Sequence, residues 1–218
     1  MLILFAHPAF ERSRVNRHLA AAVRDLPGVT FHDLYQAYPD FDIDVGFEQM
    51  LLDTHGRVVL HHPFFWYSTP ALVKQWEDLV LEHGWAYGTG GDALHGKTLL
   101  SVITTGGPES SYCAQGRNRF GIRQLLAPLE QTAFLCGMEY LPPFVVHGTH
   151  LIAQDAIDGH ANDYRQVIEA LRDGTLEWWE ACDASHLNER LEAVLPSAAP
   201  AQASAPSAHE PTRSAHVR

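Results

Sequence analysis

Cysteine is scarce in this chain. Three occur in 218 residues, Cys113, Cys136 and Cys182, too scattered for a disulfide framework or a CxxC metal pattern. A reducing, cytoplasmic setting fits that usage. Positive charge is scarce as well: 15 Lys and Arg against 26 Asp and Glu give a formal net charge of −11. That balance argues against a nucleic-acid partner, whose phosphates need a basic face, yet it leaves room for a small local basic site. No uninterrupted apolar run reaches the roughly 18 residues of a membrane span. Met1 to Ala6 is apolar but short, and it lacks the charged leader and cleavage site of a signal peptide, so it reads as a strand. No GxSxG elbow is present, which counts against an α/β-hydrolase. There are 14 histidines, but none pairs with an acid or thiol at ligand spacing, so no metal site is expected. The first strand ends in Ala6-His7 rather than an acidic pair, which disfavours a phospho-receiver domain.

What is present is an alternation of strands and helices. Apolar content is 46% and the length suits one domain with a full core. Strands are expected at Leu2–Ala6, Val29–Leu34, Arg57–His62, Thr98–Thr104 and Tyr140–Val146, the first of them a continuous apolar run of the kind buried on both faces. Helices are expected at Arg14–Leu26, Phe47–Thr54, Pro70–His83, Ile122–Cys136 and Ala156–Leu171. Ser13 is a good N-cap for the first of these, and Pro27-Gly28 a good stop. The expectation is an α/β fold with a five-stranded parallel sheet and helices on both faces. Leu176 to Leu195 reads as an extra amphipathic helix. From Pro196 to Arg218 the composition collapses to Ala, Pro and Ser, which predicts disorder. The segments are therefore 1–174, 175–195 and 196–218.

Such a sheet binds ligands beyond the carboxyl ends of its strands, beside the switch in strand order, whether that order is flavodoxin-like or Rossmann. Three loops lie there. In His7–Ser13, leading into Arg14-Val15-Asn16-Arg17, basic residues crowd a helix N-terminus that ordinarily favours acids. A phosphate would relieve that, held by free N–H groups and the Ser13 hydroxyl; the loop alone does not choose between this and arginines turned to solvent. Phe64-Phe65-Trp66-Tyr67 places four aromatics in a row, suited to a planar heterocycle or to packing in a core or subunit interface. Thr104-Thr105-Gly106-Gly107 offers hydroxyls and paired glycines that permit positive φ and close backbone approach. A literal P-loop match, Gly91-Asp92-Ala93-Leu94-His95-Gly96-Lys97-Thr98, is rejected, because a strand follows it where a phosphate-facing helix is required.

The combination resembles the NAD(P)H quinone oxidoreductase family. It is carried by His7-Pro8 with Ser13 and Asn16, by Leu34-Tyr35 with Tyr38-Pro39-Asp40-Phe41-Asp42-Ile43-Asp44, and by His62-Pro63 with Trp66-Tyr67-Ser68. His83-Gly84-Trp85-Ala86-Tyr87-Gly88, Thr104-Thr105-Gly106-Gly107, Cys136-Gly137 and Leu141-Pro142-Pro143-Phe144 extend it over about Leu2 to Leu171. Within that family it is most similar to the ancillary subunits of bacterial glutathione-gated potassium-efflux antiporters.

The resemblance implies a flavodoxin-like fold, a homodimer, FMN as cofactor, NAD(P)H as co-substrate and a quinone as acceptor. FMN is preferred to FAD because one phosphate site is visible and no adenosine pocket is. It implies that His7, Ser13, Arg14, Val15 and Asn16 hold the FMN phosphate. Phe64, Phe65, Trp66, Tyr67, Thr104, Thr105, Gly106 and Gly107 would then surround the ring. Tyr112 matches a tyrosine that assists hydride transfer in the mammalian enzymes, whereas Asn118 stands where those enzymes carry a histidine. The resemblance also implies regulation of a membrane potassium/proton antiporter. A flavin-binding regulatory subunit with little turnover is therefore the rival reading, and nitroaromatic or azo acceptors are a third.

Overall fold

The computed structural model describes residues 1–196. Expectations for the tail beyond that point fall outside the described residues. Six parallel strands form one sheet: β1 (Leu2–Phe5), β2 (Thr30–Asp33), β3 (Arg57–Pro63), β4 (Thr98–Thr104), β5 (Glu139–Tyr140) and β6 (Phe144–Val146). The order is β2-β1-β3-β4, and both β5 and β6 then pair with β4. This is the flavodoxin-like order.

The expected fifth strand is thus two short ones in the same position. Leu141-Pro142-Pro143 separates them, since proline has no N–H for the ladder. Chain order reverses at β1, so the loops after β1, β3 and β4 meet at one rim.

The helices are α1 (Arg14–Val23), α2 (Leu34–Ala37), α3 (Val45–Thr54), α4 (Ala71–Val80), α5 (Ile122–Leu125), α6 (Ala127–Leu135), α7 (Gln154–Asp173) and α8 (Leu191–Val194). Ser13 caps α1, its Oγ accepting the Asn16 N–H at 3.2 Å. The single helix expected over 122–136 breaks at Leu126, because Pro128 fits only the first turn of a new helix. On one face of the sheet, Leu4, Leu60, Leu72, Trp76 and Leu129 belong to one core. On the other, Ile3, Val15, Leu19, Tyr164 and Ile168 belong to a second, where α1 and α7 lie. Glu48 of α3 is fully buried, yet its carboxylate accepts from Tyr38 Oη, His32 Nε2 (2.7 Å) and Trp76 Nε1 (2.8 Å). Burial alone would raise its pKa; those donors overcome it and leave the pKa lowered.

The expected amphipathic helix over Leu176–Leu195 is not formed. The segment makes 3-10 turns at Trp178–Ala181 and Leu187–Arg190, followed by the single turn of α8. Leu176, Ala181, Leu187 and Val194 still reach the α1–α7 core, so tertiary packing replaces helical periodicity. The segment runs along β6: Leu187 N–H donates to Pro143 O at 2.8 Å. The Asn188 side chain accepts from Val145 N–H at 2.8 Å and donates to Val145 O at 3.1 Å. The P-loop-like stretch is turns leading into β4, with no helix after it. No helix among the described residues is long and apolar enough to cross a membrane.

Candidate functional site

At the carboxyl rim a cleft of about 700 Å³ opens between the loops after β1, β3, β4 and β6. His7, Ser13, Arg14, Val15, Asn16, Phe64, Phe65, Trp66, Thr104 and Gly106 all line it. A smaller adjoining cleft of about 290 Å³ shares Phe64 and Trp66 and adds Tyr67, Gly107, Tyr112, Arg117 and Asn118. Thr105 lines neither. It is fully buried, and its hydroxyl donates to Gly107 O at 2.9 Å while accepting from His147 Nδ1 at 3.0 Å. It therefore shapes the loop from behind.

One end of the larger cleft is built for an anion. The Arg14 and Val15 amides open α1, and neither finds an acceptor among the described residues. Arg12 and Arg14 stand beside them, although Arg14 is tethered, donating from Nη2 to Ile152 O at 2.7 Å. Arg17 does not line the cleft. His7 Nδ1 accepts the Ala9 N–H at 3.1 Å, which leaves the ring proton on Nε2. Burial lowers the pKa of His7, outweighing a hydrogen bond with its own backbone that raises it, and favours the neutral ring. Among the described residues no acid lines this cleft, while two arginines and two histidines do.

The aromatic end is held in an uncommon geometry. Phe65 to Ser68 is a tight turn closed by Ser68 N–H to Phe65 O at 3.0 Å. Its central residues, Trp66 and Tyr67, have φ of 51° and 63°. A turn with both central residues left-handed ordinarily takes Asn-Gly. Here it holds two bulky aromatics, a strain that accompanies functional sites. The Trp66 ring is 91% exposed.

The glycine pair behaves differently from the sequence reading. Neither Gly106 nor Gly107 has positive φ. Gly106 instead leaves room for the exposed His150 ring: a Cβ there would lie 2.5 Å from His150 Nε2 unless that ring swung away. His150 and Thr149, from the loop after β6, line the cleft and were not singled out from sequence, nor were Ala9, Arg12 and Pro63 as site residues. The basic character of Arg12 was the one readable signal among them.

Tyr112 lies between Phe64 (6.4 Å between ring centroids) and His147 (5.3 Å). Burial, aided by neighbouring His186, pushes the His147 pKa down to about 4, so the ring is neutral at pH 7. Asn118 Oδ1 accepts from the Tyr67 hydroxyl at 3.3 Å.

A family model for the flavodoxin-like fold matches residues 1–168. A solved NADPH-quinone reductase from P. pentosaceus is 36% identical (TM-score 0.69), the match covering 76% of this chain and 95% of that one. The chain belongs to the flavodoxin-like NAD(P)H quinone oxidoreductase family. General stress protein 14 of Treponema denticola, solved in complex with FMN, is 39% identical (TM-score 0.73, 79% and 97% covered). A structure named a thermophilic tryptophan halogenase from Streptomycin violaceusniger is 43% identical (TM-score 0.75, 77% and 98% covered). Every cleft residue of this family member falls inside the matched span, while the segment over β6 falls outside it. That outer segment still touches the loop after β4, because His186 Nε2 lies 3.3 Å from Glu109 Oε1, a residue that lines neither cleft.

Proposed function

We propose that the chain is an FMN-dependent oxidoreductase that transfers hydride from NAD(P)H to a quinone. The single observation that carries this reading is the cleft's division of labour. A cationic end with free amides lies at one side and an aromatic wall at the other, inside a chain of net charge −11. A phosphate suits the first end and a planar ring the second. The volume lies within the roughly 300–1,000 Å³ range of small-molecule sites. Bound there, FMN would supply the hydride-accepting and hydride-donating chemistry.

The chain's own residues bind and orient. His7, Ser13, Arg14, Val15 and Asn16 would hold the phosphate. Phe64, Phe65, Trp66, Thr104 and Gly106 would face the ring, with Tyr67 and Gly107 at its outer side and Thr105 bracing the loop. The adjoining cleft would receive nicotinamide and quinone in turn, with the Tyr112 hydroxyl available to donate to an acceptor oxygen. Trp66 and Phe65 would close that space from water.

The test is the visible spectrum of the purified protein, chromatography of heat-released cofactor, and NAD(P)H oxidation with a quinone. Flavin release as FMN with quinone turnover supports the reading. A colourless protein that takes up no added FMN overturns it. The same assay with azo compounds, nitroaromatics, and tryptophan plus halide sorts the acceptor class. Homodimerisation is supported by the exposed Phe65, Trp66, Tyr67, Phe120 and Leu151, and sedimentation tests it. The acidic surface and the resemblance noted above support a second role as an antiporter regulator. FMN binding with negligible turnover favours that role over catalysis.

A further inference from the structure

Beneath the anion end of the cleft runs a line of buried polar side chains that hydride transfer does not use. His61 of β3 is fully buried, edge-on to Phe5 (4.9 Å) and to Tyr164 (5.3 Å). Its Nε2 lies 3.1 Å from Asn16 Oδ1, and its Nδ1 lies 3.4 Å from the Tyr164 hydroxyl. Asn16 is itself buried, and its Nδ2 donates to Ser13 Oγ at 2.9 Å and to Thr104 Oγ1 at 3.0 Å. Ser13 Oγ also accepts the Asn16 backbone N–H at 3.2 Å.

Counting donors and acceptors along this line assigns its protons. Burial pushes the His61 pKa down to about 3, so its ring carries one hydrogen. The buried Tyr164 hydroxyl has no other partner among the described residues and donates to Nδ1. The ring hydrogen therefore sits on Nε2 and is given to Asn16 Oδ1. That turns the Asn16 amide nitrogen toward Ser13 and Thr104. Ser13 Oγ now accepts twice, which uses both of its lone pairs. Its remaining hydrogen has to be donated elsewhere, and Ser13 lines the cleft.

We propose that His61, set by Tyr164, is a positioning residue that directs the Ser13 hydroxyl to donate into the cleft, and that it thereby selects a phosphorylated flavin over the unphosphorylated one. The proposal rests on the FMN reading of the cleft. Its logic is a choice between two arrangements. With the ring hydrogen moved to Nδ1, two acceptors would face each other at the His61–Asn16 contact. Rotating the Asn16 amide relieves that clash, but it presents Oδ1 to Ser13, which then donates inward. The cleft loses one donor, and only a ligand with phosphoryl oxygens registers the loss.

The test compares dissociation constants for FMN and for riboflavin in wild type and in Tyr164→Phe, His61→Phe, His61→Gln and Ser13→Ala. Losing one hydrogen bond to a charged acceptor weakens binding about tenfold or more. His61→Phe, which removes the Nε2 donor to Asn16 Oδ1, is expected to lose about tenfold for FMN and less than about twofold for riboflavin, whereas Tyr164→Phe, which leaves the ring hydrogen able to stay on Nε2, is expected to lose less. Ser13→Ala should match the His61→Phe loss, and adding His61→Phe to it should cost nothing further. His61→Gln, which can donate to Asn16 and accept from Tyr164, should recover most of the affinity. Should His61→Phe fail to fold, His61→Leu, which also deletes both ring nitrogens, takes its place.

Equal losses for both flavins, additive losses, or no loss overturn the proposal. A wild type that binds neither flavin, or both with equal affinity, overturns the phosphate reading itself, a distinct result. In the cofactor-free protein, ¹⁵N NMR of the His61 ring should show hydrogen on Nε2; hydrogen on Nδ1 also overturns the proposal.

Discussion

Replacing Trp66-Tyr67 by Asn-Gly should make the protein more stable and less active at once. Both residues sit in the left-handed region, with φ of 51° and 63°. That conformation costs roughly 1–2 kcal/mol for a residue with an ordinary side chain and little for Asn or Gly. Relief at two positions is then about 2–4 kcal/mol. Against it stand the exposed Tyr67–Asn118 hydrogen bond, worth roughly 0.5 kcal/mol, and roughly 1 kcal/mol of extra unfolded-state freedom at the new glycine. Trp66 is 91% exposed, so its removal forfeits almost no packing. The net gain is about 0.5–2.5 kcal/mol, with each kcal/mol raising Tm by roughly 2–4 °C for a domain of this size. Thermal melts of the cofactor-free Trp66→Asn/Tyr67→Gly double variant test this, at a concentration where both proteins have the same oligomeric state. Quinone turnover should fall in the same preparation. An unchanged or lower Tm would refute the claim that the turn stores strain.

Gly106→Ala turns the exposed His150 ring out of the cleft wall and sets a methyl in its place, so FMN affinity should fall by about fivefold, or roughly 1 kcal/mol, while Tm holds; titration with FMN and a thermal melt check it. Leu187→Ala empties a fully buried position in the segment over β6 and should cost about 2–5 kcal/mol in urea unfolding, whereas the exposed Trp179→Ala should cost far less. His61, His62 and His147 have pKa values pushed down by burial to about 3, 4 and 4. In the unfolded chain they take up protons near their ordinary value, so it binds more protons than the native state below pH 6.5. Stability is therefore full above that pH and falls as pH drops toward 4, with up to about 1.4 kcal/mol per pH unit from each histidine. Urea midpoints at pH 7, 6 and 5 measure the slope, and a flat profile would show that the rings are not buried neutral.

Strand β4 was legible to the residue, because Leu99-Leu100-Ser101-Val102-Ile103 between two β-branched threonines, with no Gly or Pro, admits little else. The three ligand loops were legible because strand order places them at one rim. Where the reading stopped, tertiary contacts decide. Pro142-Pro143 divide the last strand although the apolar run continues through them. Leu176 to Leu195 carries helical spacing, yet it packs as turns against β6, which fixes its path more strongly than local propensity does. Thr105 and Thr104 are neighbours of one type, but strand alternation sends only Thr104 into the cleft. His150 and His61 could not be found from spacing, since each acts across a long loop: one against Gly106, the other through Asn16.

The Asn188 side chain, which both donates to and accepts from Val145, does for β6 what a neighbouring strand would do. A sheet ending without such a cover offers its free N–H and C=O groups to any extended chain, including another copy of itself. The segment beyond the matched span thus covers this edge of the sheet. A protein shortened before residue 175 should then fail first by clumping in concentrated solution, ahead of any loss of chemistry in its cleft.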